Sequence, residues 1–354
     1  MVGYVPDLTS LPPDNYFILR MLSQTQFAWA TVGGVGCAVA SGLLSRWGLV
    51  ICEAPAVPSE SGAAVTSDPQ PSRAKFVWLT ALAGFAIGFG FVLAMLAGCQ
   101  RIPEVRPGSF WEIGRIPFQL SLISLLLAIT ATDLKTYFIP DILTWPGMIF
   151  AVVLATISGE LQMSHVWVDW NQEIPQLTGP YLPEWMSQHP HLHGFAWSMA
   201  GLTTGFTVTA LVRWLTSLML GMNALGSGDV ILMGLIGAFL GWQPAIITLA
   251  IAPVLALATI GFLRLSRGTS YIPFGPYLGF AAIITQFNWA KIWMFEWQHG
   301  IVDEVESRAT TFAIRRFFGD LPSLLTIGAI TVVGLTCLLF LRNLFYAIPT
   351  ERKS

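Results

Sequence analysis

Charge is what this sequence has least of. Of its 354 residues only 18 are Lys or Arg and 20 are Asp or Glu, or 11% charged, against roughly 25% in an ordinary soluble domain. With 54% apolar residues and a mean hydropathy of +0.64, the chain lacks the polar surface that a soluble fold needs. The formal net charge of -2 and a pI near 6.2 exclude nucleic acid as a partner, because no basic stripe is present to neutralise phosphates. Cysteine is scarce as well. Cys37, Cys52, Cys99 and Cys337 are widely separated, so no Cys-x-x-Cys pair supplies the adjacent thiolates of a zinc site, and each is expected to be a small buried apolar residue. Residues 1–26 hold Arg20 as their one basic residue and run into a long apolar stretch. A cleaved signal peptide has a basic start and a short apolar core, so the first span is expected to be retained.

What is present is a succession of long apolar runs. A helix needs about 20 apolar residues to cross roughly 30 Å of hydrocarbon, and the spacing predicts spans near 27–45, 76–98, 116–132, 142–157, 195–212, 230–240, 245–263, 272–287 and 321–341. The expected fold class is therefore an all-α integral membrane protein of about nine transmembrane helices. Residues 230–263 carry no charge and would make one helix of about 50 Å, too long for a single crossing. Gly241-Trp-Gln-Pro244 is therefore read as a tight turn between two spans. There is no internal repeat, and the Pro/Ser/Ala-rich residues 53–71 read as a flexible linker.

Short cytoplasmic loops retain Lys and Arg, and residues 159–193 have none. That loop carries Glu160, Asp169, Glu173 and Glu184 with Trp167, Trp170 and Trp185, which suits an external interfacial segment. Counting outward places Arg46, Arg73, Lys75, Lys135, Arg213, Arg264, Arg267, Arg352 and Lys353 inside, the N-terminus outside and the C-terminus inside. The same count leaves Arg101, Arg106, Arg115 and the basic residues from Lys291 to Arg316 outside, in segments that also hold acids. The second of these, residues 289–319, is rich in Trp, Phe and charge, and is expected to be an amphipathic helix lying on the membrane.

With this topology Asp133 ends the third span and Asp229 begins the sixth, so both acids face the cytoplasmic side at similar depth. The sixth helix, over about 227–242, reaches only about 24 Å, short of the hydrocarbon thickness, which sinks Asp229 below the surface. Ionisable groups at that depth are functional candidates by default. Two carboxylates in a partly dry site do not both ionise readily, so one keeps a proton while the other activates a water against a peptide carbonyl. Two plainer readings stand beside this one. Asp229 follows Gly-Ser-Gly and precedes an apolar run, as a helix N-cap does, and Asp133 would serve as a solvated loop acid paired with Lys135. Asp141, after Pro140 and with Thr144 at the fourth position, reads as an N-cap. Gly226 and Gly228 allow close backbone approach or positive φ. Pro273, Gly275 and Pro276 shape a break at the start of the eighth span. His189, His191 and His193 alternate, and on an extended chain would share one side as metal ligands; the plainer reading is a solvated loop.

Three runs in order, Asp133-Leu-Lys-Thr-Tyr-Phe-Ile-Pro-Asp141-Ile-Leu-Thr144, Leu225-Gly-Ser-Gly-Asp229-Val-Ile-Leu-Met-Gly-Leu-Ile-Gly-Ala-Phe-Leu-Gly241 and Ile272-Pro-Phe-Gly-Pro-Tyr-Leu278, resemble the prepilin peptidase (type IV leader peptidase) family over roughly 121–287. The resemblance implies that Asp133 and Asp229, the acid closing the Gly-x-Gly-Asp motif, are the two catalytic aspartates. It also implies that Gly226, Gly228, Lys135, Pro140, Pro273 and Gly275 belong to the motifs that shape the site. The expected activity is cleavage, without a metal or other cofactor, of the basic leader of prepilin or pseudopilin substrates, at the cytoplasmic face of the inner membrane.

Two departures stand out. The family often reads Gly-x-Gly-Asp-x-Lys, whereas Ile231 stands here at the last position. Bifunctional members carry a cytoplasmic domain with paired Cys-x-x-Cys motifs linked to N-methylation, and the linker here is cysteine-poor, so methyl transfer is not expected. The implied division is 1–115 as an N-terminal region of two spans, 116–290 as the peptidase core of an eight-span plan, and 291–354 as the amphipathic segment with an extra C-terminal span. A proton-coupled transporter using the same two acids and a non-catalytic assembly scaffold are the other readings.

Overall fold

The structure, a computed structural model, describes residues 13–52, 73–168, 183–220, 225–266, 273–298 and 311–347. Among these the chain is helical: α1 (Pro13–Cys52), α2 (Arg73–Leu96), α3 (Ser109–Thr136), α4 (Asp141–Ser158), α5 (Glu184–Gln188), α6 (Pro190–Leu220), α7 (Ser227–Leu240), α8 (Trp242–Ser266), α9 (Gly275–Trp293), α10 (Ile314–Gly319) and α11 (Leu321–Ala347), with one two-stranded pair, β1 (Glu296–Gln298) and β2 (Thr311–Ala313). Six helices, α1, α2, α3, α4, α6 and α8, are long and apolar enough to cross a membrane, and α7 and the first half of α11 are shorter apolar helices. The protein is a multi-pass, all-α membrane protein. Each of the expected apolar runs falls on a helix. The linker at 53–71 and the acids Asp169 and Glu173 lie outside the described residues.

Helix ends follow from local chemistry. Tyr137 takes a left-handed conformation (φ 54°) and its N–H closes on the Asp133 carbonyl, after which Ile139-Pro140 forces extended backbone and Pro140 starts α4. Asp141 is thus the first helical residue, and Pro140 the cap. Thr144 donates its hydroxyl to the Asp141 carbonyl, so the N-cap expected of Asp141 is displaced by one position. The turn expected at Gly241–Pro244 shrinks to Gly241 alone (φ 86°), which ends α7, and Trp242 already opens α8.

Helix α7 is the innermost element. Its residues from Asp229 to Leu240 are buried apart from Ile231, and α3, α4, α6, α8 and α9 pack around it. Without lipid-facing positions there is no amphipathic stripe to preserve, which explains a near-continuous apolar run. Small residues let the backbones touch. A Cβ at Gly237 would lie inside contact distance of the Gly201 carbonyl, and one at Gly205 inside that of Met233, while Ser198 donates across the interface to the Ala238 carbonyl at 2.7 Å. This is the small-residue packing of membrane helices. Gly237→Ala is therefore expected to destabilise by about 1–3 kcal/mol or more, read as a lower thermal midpoint in detergent. Gly36→Ala, which meets nothing within 4 Å, is expected to leave that midpoint in place.

The α1–α2 pair is tied by Ser45 and Thr80, whose hydroxyls lie 2.9 Å apart, and by Ser41 donating to the Thr80 carbonyl at 3.1 Å. Cys37 is buried as expected, but Cys52 and Cys99 are half-buried and Cys337 is exposed on α11, a helix that touches the rest of the chain through α6 and α10.

The continuous amphipathic helix expected over 289–319 is not formed by the described parts of that segment. Helix α9 runs on to Trp293, and β1 and β2 then pair antiparallel with Trp297 opposite Phe312. Alternation of polar and apolar residues in Phe295-Glu-Trp-Gln298 matches the two-residue period of a strand. Its charges pair locally, Arg315 with Glu296, just as Arg101 pairs with Glu112 at 2.8 Å. Both basic segments that strained the charge count therefore carry their own counter-ions.

Candidate active site

The C-terminal end of α3 and the N-terminal ends of α7 and α9 converge at one end of the bundle. Asp133 sits one turn before the end of α3 and is 5% exposed; Asp229 sits in the first turn of α7 and is 7% exposed. The two carboxylates lie within electrostatic reach of each other, so acids far apart along the chain share one site. Asp133 is neither solvated nor in a loop. Its carboxylate accepts a hydrogen bond from the backbone N–H of Gly275, the first residue of α9. Asp229 is not the N-cap, a position held by Gly226; from the third helical position its Oδ2 accepts the Gly226 N–H at 3.1 Å. Each acid is thus held by a backbone donor at a helix start, where the helix dipole also favours negative charge.

The glycines act through space rather than through positive φ. Gly226 has an ordinary extended conformation (φ -67°). A Cβ at Gly275 would fall inside contact distance of Asp133 Oδ2, and one at Gly228 would meet Ile139 at 3.0 Å. Ile139, buried in the α3–α4 turn, also lies 3.3 Å from the Cβ position of Gly275, so it spaces the start of α7 from the start of α9. Pro273 is buried just before α9, Pro276 occupies its first turn, and Lys135 is half-buried in the last turn of α3.

At the start of α7 an open groove of about 570 Å³ runs between α4, α6 and α7, walled by Trp145, Phe206 and Trp214 and floored by Ser227, Val230 and Ile231, the residues around Asp229 in sequence. Arg213 of α6 lines it too, and its charge acts on Asp229. Sequence reasoning used Arg213 only to mark sidedness. The signal that would have found it is its position near the end of an apolar run, on the same side as Asp229.

The histidines belong to the opposite end. The chain there is helical from Pro190, so His191 and His193 point apart instead of sharing the side that an extended chain would give them. His191 Nδ1 lies 3.0 Å from the Thr156 carbonyl, whereas His193 is buried against His165 and Trp185. Among the described residues no group of three or more His, Cys, Asp or Glu side chains is placed to hold a metal ion. Burial holds the His165 imidazole below its ordinary range, and its Nε2–H donates to the Glu104 carbonyl at 3.0 Å. Arg115 donates to the Gln162 carbonyl, so this end gathers the loops that the charge count placed outside, away from the two acids.

Comparison with known proteins adds a family to this geometry, since residues 181–261 match the model of the type IV leader peptidase family. Over this stretch the chain is similar to type IV leader peptidases. Curated relatives named prepilin leader peptidase/N-methyltransferase are similar as well: one from Pseudomonas putida is 30% identical over 181 residues, covering 49% of this chain and 51% of the relative. One from Aeromonas salmonicida (strain A449) is 29% identical over 168 residues, 47% of each chain, and one from Klebsiella pneumoniae 31% identical over 133 residues, 38% of this chain and 44% of the relative. The chain spans about half the length of the curated relatives it matches. No solved structure matches. The type IV leader peptidase match takes in α6, α7, Arg213 and Asp229; Asp133 and Gly275 lie outside it and are joined to it by the contacts described above.

Proposed function

We propose that this chain is a membrane aspartyl endopeptidase that cleaves the leaders of type IV prepilin-like proteins at the cytoplasmic face of the inner membrane. The observation that carries the reading is the meeting of two buried carboxylates, Asp133 and Asp229, at one end of the helix bundle. The type IV leader peptidase match through Asp229 supports the substrate class.

In this mechanism a water held between the acids loses a proton to the ionised carboxylate and attacks the scissile carbonyl, while the protonated acid donates to the carbonyl oxygen. The tetrahedral intermediate then collapses: the C–N bond breaks, the proton held by the base passes to the leaving amine, and one hydroxyl proton of the intermediate returns to the carboxylate that had donated. The apolar helix of the substrate lies along the bundle, and its leader junction reaches the acids.

The test is to incubate the purified protein in lipid with a prepilin-like substrate and to map the new N-terminus. The expected product lacks the leader and begins at the start of the apolar helix. If a panel of pseudopilins from the same host stays intact, the proteolytic reading falls and a scaffold role takes its place. With a labelled methyl donor in the same assay, the new N-terminus is expected to remain unmethylated, because the four cysteines include no closely spaced pair.

A further inference from the structure

The groove at the start of α7 is apolar in character, yet the sequence places a guanidinium in it. Arg213 lines it together with Ser227, Val230 and Ile231, the residues on either side of Asp229. A cation on a membrane helix is costly and is kept where it has a partner. Arg213 is half-buried near the C-terminal end of α6 and shares the groove with Ser227 and Val230, between which Asp229 stands on α7, whereas Asp133 lies on α3, which contributes nothing to the groove's lining. The two acids therefore sit in unequal surroundings. Ile231, the neutral residue two places after Asp229, faces the same groove and is the single half-buried position between Asp229 and Leu240.

We propose that Arg213 is a positioning residue that makes the acid pair unequal: its charge, delivered from α6 through the groove, holds Asp229 in place as the carboxylate that accepts the proton from water and leaves Asp133 as the proton donor. This role rests on the proteolytic reading above. It explains how a chain without a basic residue at position 231 keeps a positive charge beside Asp229, because the same groove is reached from the neighbouring helix. The planar fork of Arg suits a carboxylate better than a point charge does, but the requirement here is charge at that place, so Lys at 213 retains part of the effect.

The experiment uses the full chain in lipid with a prepilin-like substrate, each rate expressed per amount of monodisperse folded protein. Arg213→Gln, and Arg213→Met, which keeps the apolar stem against the groove, are expected to lower kcat by about 10- to 100-fold with little change in KM. Arg213→Lys is expected to stay within about fivefold of the unaltered protein. Adding Ile231→Lys to Arg213→Gln restores a cation to the groove from α7 and is expected to recover at least about tenfold of the loss, a rescue that a purely structural arginine would not give. Neutral variants that cleave at the unaltered rate, or a folded Ile231→Lys double variant without recovery, would overturn the role of Arg213 while leaving the peptidase intact. Absence of cleavage by the unaltered chain overturns both.

Discussion

Asparagine at either Asp133 or Asp229 is expected to lower kcat for leader cleavage by about three orders of magnitude or more, with folded protein unchanged in amount. Asparagine matches aspartate in shape and still offers an oxygen to the backbone donors that hold each side chain, the Gly275 N–H for Asp133 and the Gly226 N–H for Asp229. What it cannot do is exchange a proton. In the proposed mechanism the two acids act on a single water, so losing one removes the function of both, and the double variant is expected to be no slower than either single one. Single-turnover rates with size-exclusion profiles of the three variants check this. Cleavage by either single variant at more than about a tenth of the unaltered rate would falsify a mechanism that needs both acids.

Gly275→Val carries the next largest effect. The Cβ it adds falls within contact distance of Asp133 Oδ2 and 3.3 Å from Ile139, so either the carboxylate turns away or the start of α9 retreats and takes its N–H with it. A displacement of about 1 Å at a reacting group costs about a hundredfold in rate, and a loss of that size in kcat is expected while the helical content holds. Gly279→Ala, one turn further along α9, meets the hydroxyl of Thr130 at 3.2 Å, a side chain that can rotate aside, and serves as the control. Equal turnover by Gly275→Val and the unaltered protein would show that Asp133 does not depend on its glycine cradle.

The helices were readable because each rests on one dominant signal, an uninterrupted apolar run bounded by Gly, Pro or charge. The placement of Asp133 and Asp229 at one end of the bundle was readable for the same reason: an acid at the edge of such a run is conspicuous, and the positions of Lys and Arg put both acids on one side. Capping was read less well. Asp141 stands one residue further into its helix than an N-cap, because Pro140 starts α4 by backbone geometry, and the N-cap reading of Asp229 fails because Gly226 holds that position while Asp229 closes back on its N–H from the third helical residue. The histidines were misread for lack of a helix: alternate residues share a side only on an extended chain, and the structure winds them into α6. Residues 289–319 were misread because aromatic and charged residues mixed at short range suit a strand pair as well as a surface helix. The position of Arg213 near the end of an apolar run is legible, but its nearness to the start of α7 depends on α6 and α7 packing at Gly201 and Gly237, a contact between residues with no side chains to announce it.

Enclosure of α7 holds the depth of its first turn. Fourteen residues make a rod of about 21 Å, and five neighbouring helices shield it from the acyl chains, so a thicker or thinner bilayer deforms around the outer helices and leaves the depth of Asp229 fixed. On the proteolytic reading the leader would therefore descend to the acids, and a substrate helix beginning too close to its cleavage point would unravel before being cut. Selection among substrates would then be a matter of how many residues at the junction can be drawn out as extended chain, a ruler built from the shortness of one enclosed helix.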